Sequence, residues 1–179
     1  MEKAKLDLLV IEMQMGDKQA FNKLCQYFHS ALLRFAFKIC QHEQLAHDAV
    51  QNAWIKIIKS IHSLNDPRAF KSWLYQQVRW QCLDALKQVN RELLDFDTPV
   101  LDEISTKQEK SDNSRLLSAI NSLAEIEKQV IHLFYLDELS LAEIAIVLEI
   151  PIGTVKSRLN RARNLLKERL IAMEKSDEN

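Results

Sequence analysis

A chain of 179 residues with 47% hydrophobic content, two glycines and three prolines can bury one medium core or two small ones, and the scarcity of glycine and proline predicts an all-helical fold. The formal net charge of −1 gives no overall attraction to nucleic acid, so any such role must rest on local charge. The three cysteines, Cys25, Cys40 and Cys82, have no C-x-x-C spacing, the charged start lacks a secretory h-region, and no apolar run reaches the roughly 18 residues of a membrane span; the expectation is a soluble, cytoplasmic protein with reduced thiols and no membrane insertion.

In chain order, a first helix passes through Leu9 and Met15 and stops at Gly16, and Asp17 then has the character of an N-cap for a helix over Lys18 to Cys40. The third helix has the clearest period. Leu45, Ala49, Ala53, Trp54, Ile57, Ile58 and Ile61 recur at three- and four-residue steps, leaving Asp48, Gln51, Asn52 and Lys56 toward solvent. Asn65-Asp66-Pro67 breaks the chain, and Pro67 is pre-set for the start of a fourth helix running to Gln88. Between Arg68 and Arg91, five basic residues (Arg68, Lys71, Arg79, Lys87, Arg91) face one acid, Asp84, and are interleaved with Phe70, Trp73, Tyr75 and Trp80.

Periodicity fades over residues 90–113, where Glu92, Asp95, Asp97, Asp102, Glu103, Glu109 and Asp112 suggest an extended acidic linker, whether a plain spacer or a functional segment. It divides the chain into a first helical domain over residues 1–89 and a second over 114–173, with a flexible tail at 174–179. Helical signals resume at Leu116, Leu117 and Ile120. Ser122 with Glu125 has capping-box spacing ahead of Ile126, Val130, Leu133 and Phe134.

Residues 139–163 carry the most informative pattern. Ser140 with Glu143 forms a second capping box, so a short helix should run from Leu141 to about Leu148, and Pro151 then opens another. At 3.6 residues per turn, Val155, Leu159, Ala162, Leu166 and Leu170 fall on one inward stripe of that last helix. Opposite lie Thr154, Ser157, Asn160, Arg161 and Asn164, able to reach base edges, flanked by Lys156, Arg158 and Arg163 at phosphate-contacting angles. On an isolated helix such a face is most often simple solubility. A capped helix and a proline turn in front of it make it the layout of a helix-turn-helix that enters a DNA major groove.

Two blocks resemble a known family. Gly16-Asp17 with Ala20-Phe21, Asp48-Ala-Val-Gln51 and Phe70-Lys-Ser-Trp73-Leu74 in the first domain, and Ser140 through Arg163 in the second, particularly Ile150 to Arg158, are similar to bacterial RNA polymerase sigma factors of the extracytoplasmic-function type. The resemblance implies a factor that binds core RNA polymerase, reads the minus-thirty-five element as duplex with its second domain, and opens the minus-ten element with its first. It implies minus-ten contacts from Asn65, Arg68, Lys71, Arg79, Trp80 and Lys87, with the Ser63 to Phe70 loop either receiving an unstacked base or serving as a plain connection. Asp48, Gln51 and Asn52 match polymerase-facing positions, the acidic linker matches a segment that follows the RNA exit path, and an anti-sigma factor is an expected partner. Trp73 is expected in the core rather than on a stacking platform.

Three positions depart from the family pattern. Gln77 stands where an aliphatic residue is usual, Trp80 replaces a common asparagine, and Glu149 replaces the glycine of the helix-turn-helix turn, where it should strain or avoid left-handed geometry. A dimeric duplex-binding regulator using the same C-terminal helices is the competing reading. An enzyme is a third, but His29, His42, His47, His62 and His132 show no metal-ligand spacing and no glycine loop cradles a phosphate, so no catalytic residue, metal or cofactor is expected.

Overall fold

The computed structural model describes residues 2–95 and 112–177, and among them every regular element is a helix. Helix α1 (Lys3–Gln14) ends at Gly16, whose φ of 90° is the left-handed turn that glycine adopts without cost. The Asp17 carboxylate accepts the Gln19 N–H at 2.7 Å and so starts α2 (Lys18–Cys40), with the bounds its sequence predicts. Helix α3 (Glu43–Ser60) follows, capped by His42, and two 3₁₀ turns, Ile61–Ser63 and Pro67–Ala69, lead into α4 (Phe70–Asp95). Gln14 Nε2 donates to the carbonyls of Ile61 and Leu64 at 3.2 and 2.7 Å, tying the end of α1 to the loop before Asn65.

These helices meet over Leu24, Phe28, Leu32 and Phe35 of α2, Ala53 and Ile57 of α3, and Phe70, Leu74, Tyr75 and Val78 of α4, all buried. Burying each of the larger side chains contributes about 1.5–3 kcal/mol. Trp54 lies edge-on to Phe21 at 5.7 Å, and Trp73 is half-buried with its ring 6.5 Å from Phe70, in agreement with a packing role. Phe70 and Tyr75 are wholly buried, so two of the four aromatics interleaved with basic residues belong to the core and offer no ring to a strand.

The second half consists of α5 (Asp112–Asn121), α6 (Glu125–Ile131), a π-type turn (His132–Leu136), α7 (Leu141–Leu148) and α8 (Ile152–Asp177). The Ser140 box forms as its spacing predicts: Ser140 N–H donates to Glu143 Oε2 at 2.8 Å, and Glu143 N–H returns to Ser140 Oγ at 3.3 Å. The Ser122 box does not. Ser122 Oγ donates back to the Ala119 carbonyl at 2.6 Å, closing α5, while the chain turns inward to bury Leu123. Helix α6 then starts behind Ala124, whose N–H donates to Glu127 Oε2 at 3.3 Å.

Three expected boundaries also shift. Helix α4 continues past Gln88 to Asp95 and α5 begins at Asp112, so the ends of the 90–113 segment are helical; its remainder, residues 96–111, lies outside the described residues. The expected tail from residue 174 is helical through Asp177. Glu, Leu, Lys and Met extend an existing helix at little cost, because nucleation is already met.

The two halves share one continuous core rather than standing apart. Helix α7 packs against α4 and α6 against α2, and the Phe35 and His132 rings meet at 5.7 Å. His132 is a buried core residue, with Nε2 3.2 Å from the equally buried Asp137 carboxylate. Tyr75, facing the same carboxylate, has its hydroxyl pKa raised by burial first and by Asp137 second.

Candidate nucleic-acid interface

Helix α8 divides its side chains as its period requires. Val155, Leu159 and Ala162 are buried and Leu166 half-buried, so the stripe packs inward. Lys156, Ser157, Asn160, Arg161, Arg163 and Asn164 are exposed, and Thr154 is half-exposed at the start of the helix. Thr154 and Val155 donate their N–H groups to the Pro151 carbonyl at 2.8 and 3.1 Å, which fixes where that face begins.

Two of its arginines are held rather than free. Arg161 keeps a largely exposed side chain, yet its Nε lies 3.2 Å from Oε1 of Glu127, which is itself almost wholly buried on α6. Arg163 Nε donates to the Tyr135 hydroxyl at 2.7 Å, and its guanidinium sits 5.4 Å from the Phe134 ring centroid and 5.5 Å from that of Tyr135. Both sit pre-oriented on the open face of the helix. Arg158 differs from expectation: it is only half-exposed, with Nε enclosed, so it is not the open flank that helical phase suggests.

Glu149, between α7 and α8, takes the left-handed conformation at φ 57° and ψ 41°. A side chain there costs about 1–2 kcal/mol relative to a right-handed residue. The turn therefore takes the left-handed geometry itself, against that cost. Its carboxylate accepts the Trp80 indole N–H at 2.9 Å and lies 3.8 Å from Arg79 Nη1.

The residues expected to contact a melted strand do not form one open surface. Asn65 and Lys87 are exposed, and Arg68 is exposed but paired with Asp66, Nε to Oδ1 at 2.9 Å. Lys71, Arg79 and Trp80 are turned toward the second half of the chain. Lys71 Nζ donates to the Asp137 carbonyl at 2.5 Å, and Arg79 Nε donates to Gln129 Oε1 at 3.2 Å. Burial lowers the Arg79 pKa from its ordinary value, with Glu149 opposing. Gln76, which the sequence did not single out, donates Nε2 to the Ile146 carbonyl at 3.1 Å. Gln77 is buried, consistent with the core position it occupies.

Asp48, Gln51 and Asn52 are exposed together on α3. Asp48 accepts a hydrogen bond from Gln44 at 3.1 Å, and a shallow depression lined by His42, Glu43, Gln44, His47, Asp48 and Gln51 marks the spot. Among the described residues no His, Cys, Asp and Glu cluster could hold a metal, and no helix is long and apolar enough to cross a membrane.

Comparison with known proteins agrees with this division. Residues 24–92 match the family model for sigma-70 region 2 and residues 113–166 that for sigma-70 region 4. The chain is 30% identical to the ECF RNA polymerase sigma-E factor of Haemophilus influenzae, over 90% of this chain and 93% of that protein. It is 27% identical to the ECF RNA polymerase sigma factor SigW of Bacillus subtilis, over 89% and 93%. Among solved structures, the sigma factor RpoE of Bartonella quintana, in complex with the anti-sigma factor NepR, superposes with a TM-score of 0.70 at 26% identity, covering 84% of this chain and 96% of that one. CnrH, in complex with the cytosolic domain of CnrY, shares the fold with a TM-score of 0.68 at 22% identity, covering 93% and 97%. With both sigma regions present in order on an all-helical chain, and a relative of this identity along nearly its whole length, the protein belongs to the ECF family of RNA polymerase sigma factors.

Proposed function

We propose that this chain binds core RNA polymerase and directs promoter-specific transcription initiation by dividing the task between its halves. Region 2, residues 1–89 extended by the end of α4, contacts the polymerase through Asp48, Gln51 and Asn52 and holds the melted minus-ten strand with Asn65, Arg68, Lys71, Arg79, Trp80 and Lys87. Region 4, residues 114–173, reads the minus-thirty-five duplex through α8, with Thr154, Ser157, Asn160, Arg161 and Asn164 toward base edges and the exposed Lys156 and Arg163 toward phosphates. The observation that carries this reading is α8 itself, whose exposed face is amide-, hydroxyl- and guanidinium-bearing while its opposite face is core.

Bond-making belongs to the polymerase and recognition to this chain, a division of work that supports our assignment of it to the cytoplasm, beside the chromosome. We infer an anti-sigma partner as well, because the similar sigma factor RpoE was solved in complex with the anti-sigma factor NepR.

Adding the purified chain to core polymerase and mapping transcript starts tests the proposal: starts should cluster downstream of one shared promoter pair. Asp48→Arg should lower retention of core polymerase in a pull-down while helicity by circular dichroism is unchanged. Initiation no more specific than that of core enzyme alone would favour a stand-alone duplex-binding regulator.

A further inference from the structure

Two departures from the family pattern, Trp80 and Glu149, are 69 residues apart in sequence and bonded to each other in the fold, indole N–H to carboxylate at 2.9 Å. Arg79 joins them, reaching Glu149 at 3.8 Å and Gln129 at 3.2 Å. Around this centre Gln76 holds the Ile146 carbonyl, Lys71 the Asp137 carbonyl, and Lys38 of α2 the Asn121 side chain at 3.2 Å. All these donors lie in region 2 and all the acceptors in region 4. A left-handed glutamate costs more at this turn than glycine would, and here its side chain makes two contacts across the halves that glycine could not.

We propose that Glu149 is the catch of an intramolecular clasp that docks the helix-turn-helix domain over the strand-holding face of α4, so that closure and capture of a melted strand exclude each other. The inference rests on the reading of Lys71, Arg79 and Trp80 as strand-holding residues. Their polar atoms are the ones engaged: an indole N–H given to a carboxylate and a guanidinium paired with one cannot at the same time serve a base and a phosphate. Glu149 acts here as a strand mimic, its carboxylate standing where a phosphate would stand. The duplex-reading face of α8 remains exposed in the closed state. Closure therefore silences only one of the two DNA contacts, and the chain can meet a duplex before it can hold a melted strand.

The test uses the full chain with Glu149→Gly, which restores the residue suited to the left-handed turn, and Glu168→Gln, which removes an equal charge from the exposed side of α8. Each is measured by small-angle scattering and by binding to a labelled oligothymidylate, with helicity checked by circular dichroism. Glu149→Gly should enlarge the scattering envelope and raise oligothymidylate affinity on the order of tenfold, while Glu168→Gln changes neither by a comparable amount. An unchanged envelope in Glu149→Gly overturns the clasp. A gain of affinity shared equally by Glu168→Gln reduces the effect to net charge and also overturns it. Expansion without any gain of affinity overturns the exclusion together with the strand-holding reading of α4, leaving only a contact between domains.

Discussion

At Arg161, helical phase and tertiary contact act on the same side chain: phase turns it outward, and Glu127 holds its Nε at 3.2 Å. A tether through Nε leaves the terminal nitrogens to donate to guanine O6 and N7, a contact worth about 1–3 kcal/mol of discrimination. Arg161→Ala should therefore relax specificity at one base pair of the minus-thirty-five element. Lys156→Ala, at an exposed position on the flank, should weaken binding to every sequence and lessen its salt dependence. Affinities against single-base promoter variants at two salt concentrations separate the two effects; a uniform loss from Arg161→Ala would make it a phosphate contact. Glu127→Gln supplies an independent check, since it touches no DNA yet loosens the arginine and should blur the same base position. Outward phase was readable in the sequence, but neither the tether nor the half-burial of Arg158 was, because both depend on helices brought together by the fold.

Elements carry most of what the sequence states openly. Helices α2 and α7 begin at the expected residues because each has a local start signal, Gly16 with Asp17 for one and Ser140 with Glu143 for the other, and each closes on a left-handed residue, Gln41 or Glu149. Ser122 shows the limit of such signals. Its spacing to Glu125 is correct, but the buried Leu123 between them draws the chain away from the cap geometry, and a motif defined by spacing contains no knowledge of burial. The difference is measurable. Ser140→Ala should lower stability by about 1 kcal/mol, read as a shift of the denaturation midpoint, whereas Ser122→Ala should cost clearly less. Equal losses would mean that Ser122 caps a helix after all. The overrun of α4 and α8 past their expected ends has the opposite origin: nothing local stops them, and acidity alone does not break a helix.

At the scale of the whole molecule, the sequence marks two units and an acidic segment between them but not their docking, which lies in pairings such as Trp80 with Glu149 that are far apart in the chain. All three tryptophans, Trp54, Trp73 and Trp80, fall in region 2, which gives a direct measure of the shared core. In urea, tryptophan fluorescence follows region 2 and, through Trp80 bonded to Glu149, its junction with region 4, while far-ultraviolet circular dichroism follows both halves, and the two curves should coincide. A dichroism transition matched by only a partial change in fluorescence, that of Trp80, would show that region 4 unfolds alone. The ring contact of Phe35 with His132 has a calorimetric consequence as well. Parting the halves wets aromatic and aliphatic surface and so raises the heat capacity, whereas docking on polymerase lowers it. Association that requires opening should thus show a smaller heat-capacity change than the area of its new contacts implies, and cooling should favour the parted form, as the apolar attraction that closes the junction weakens.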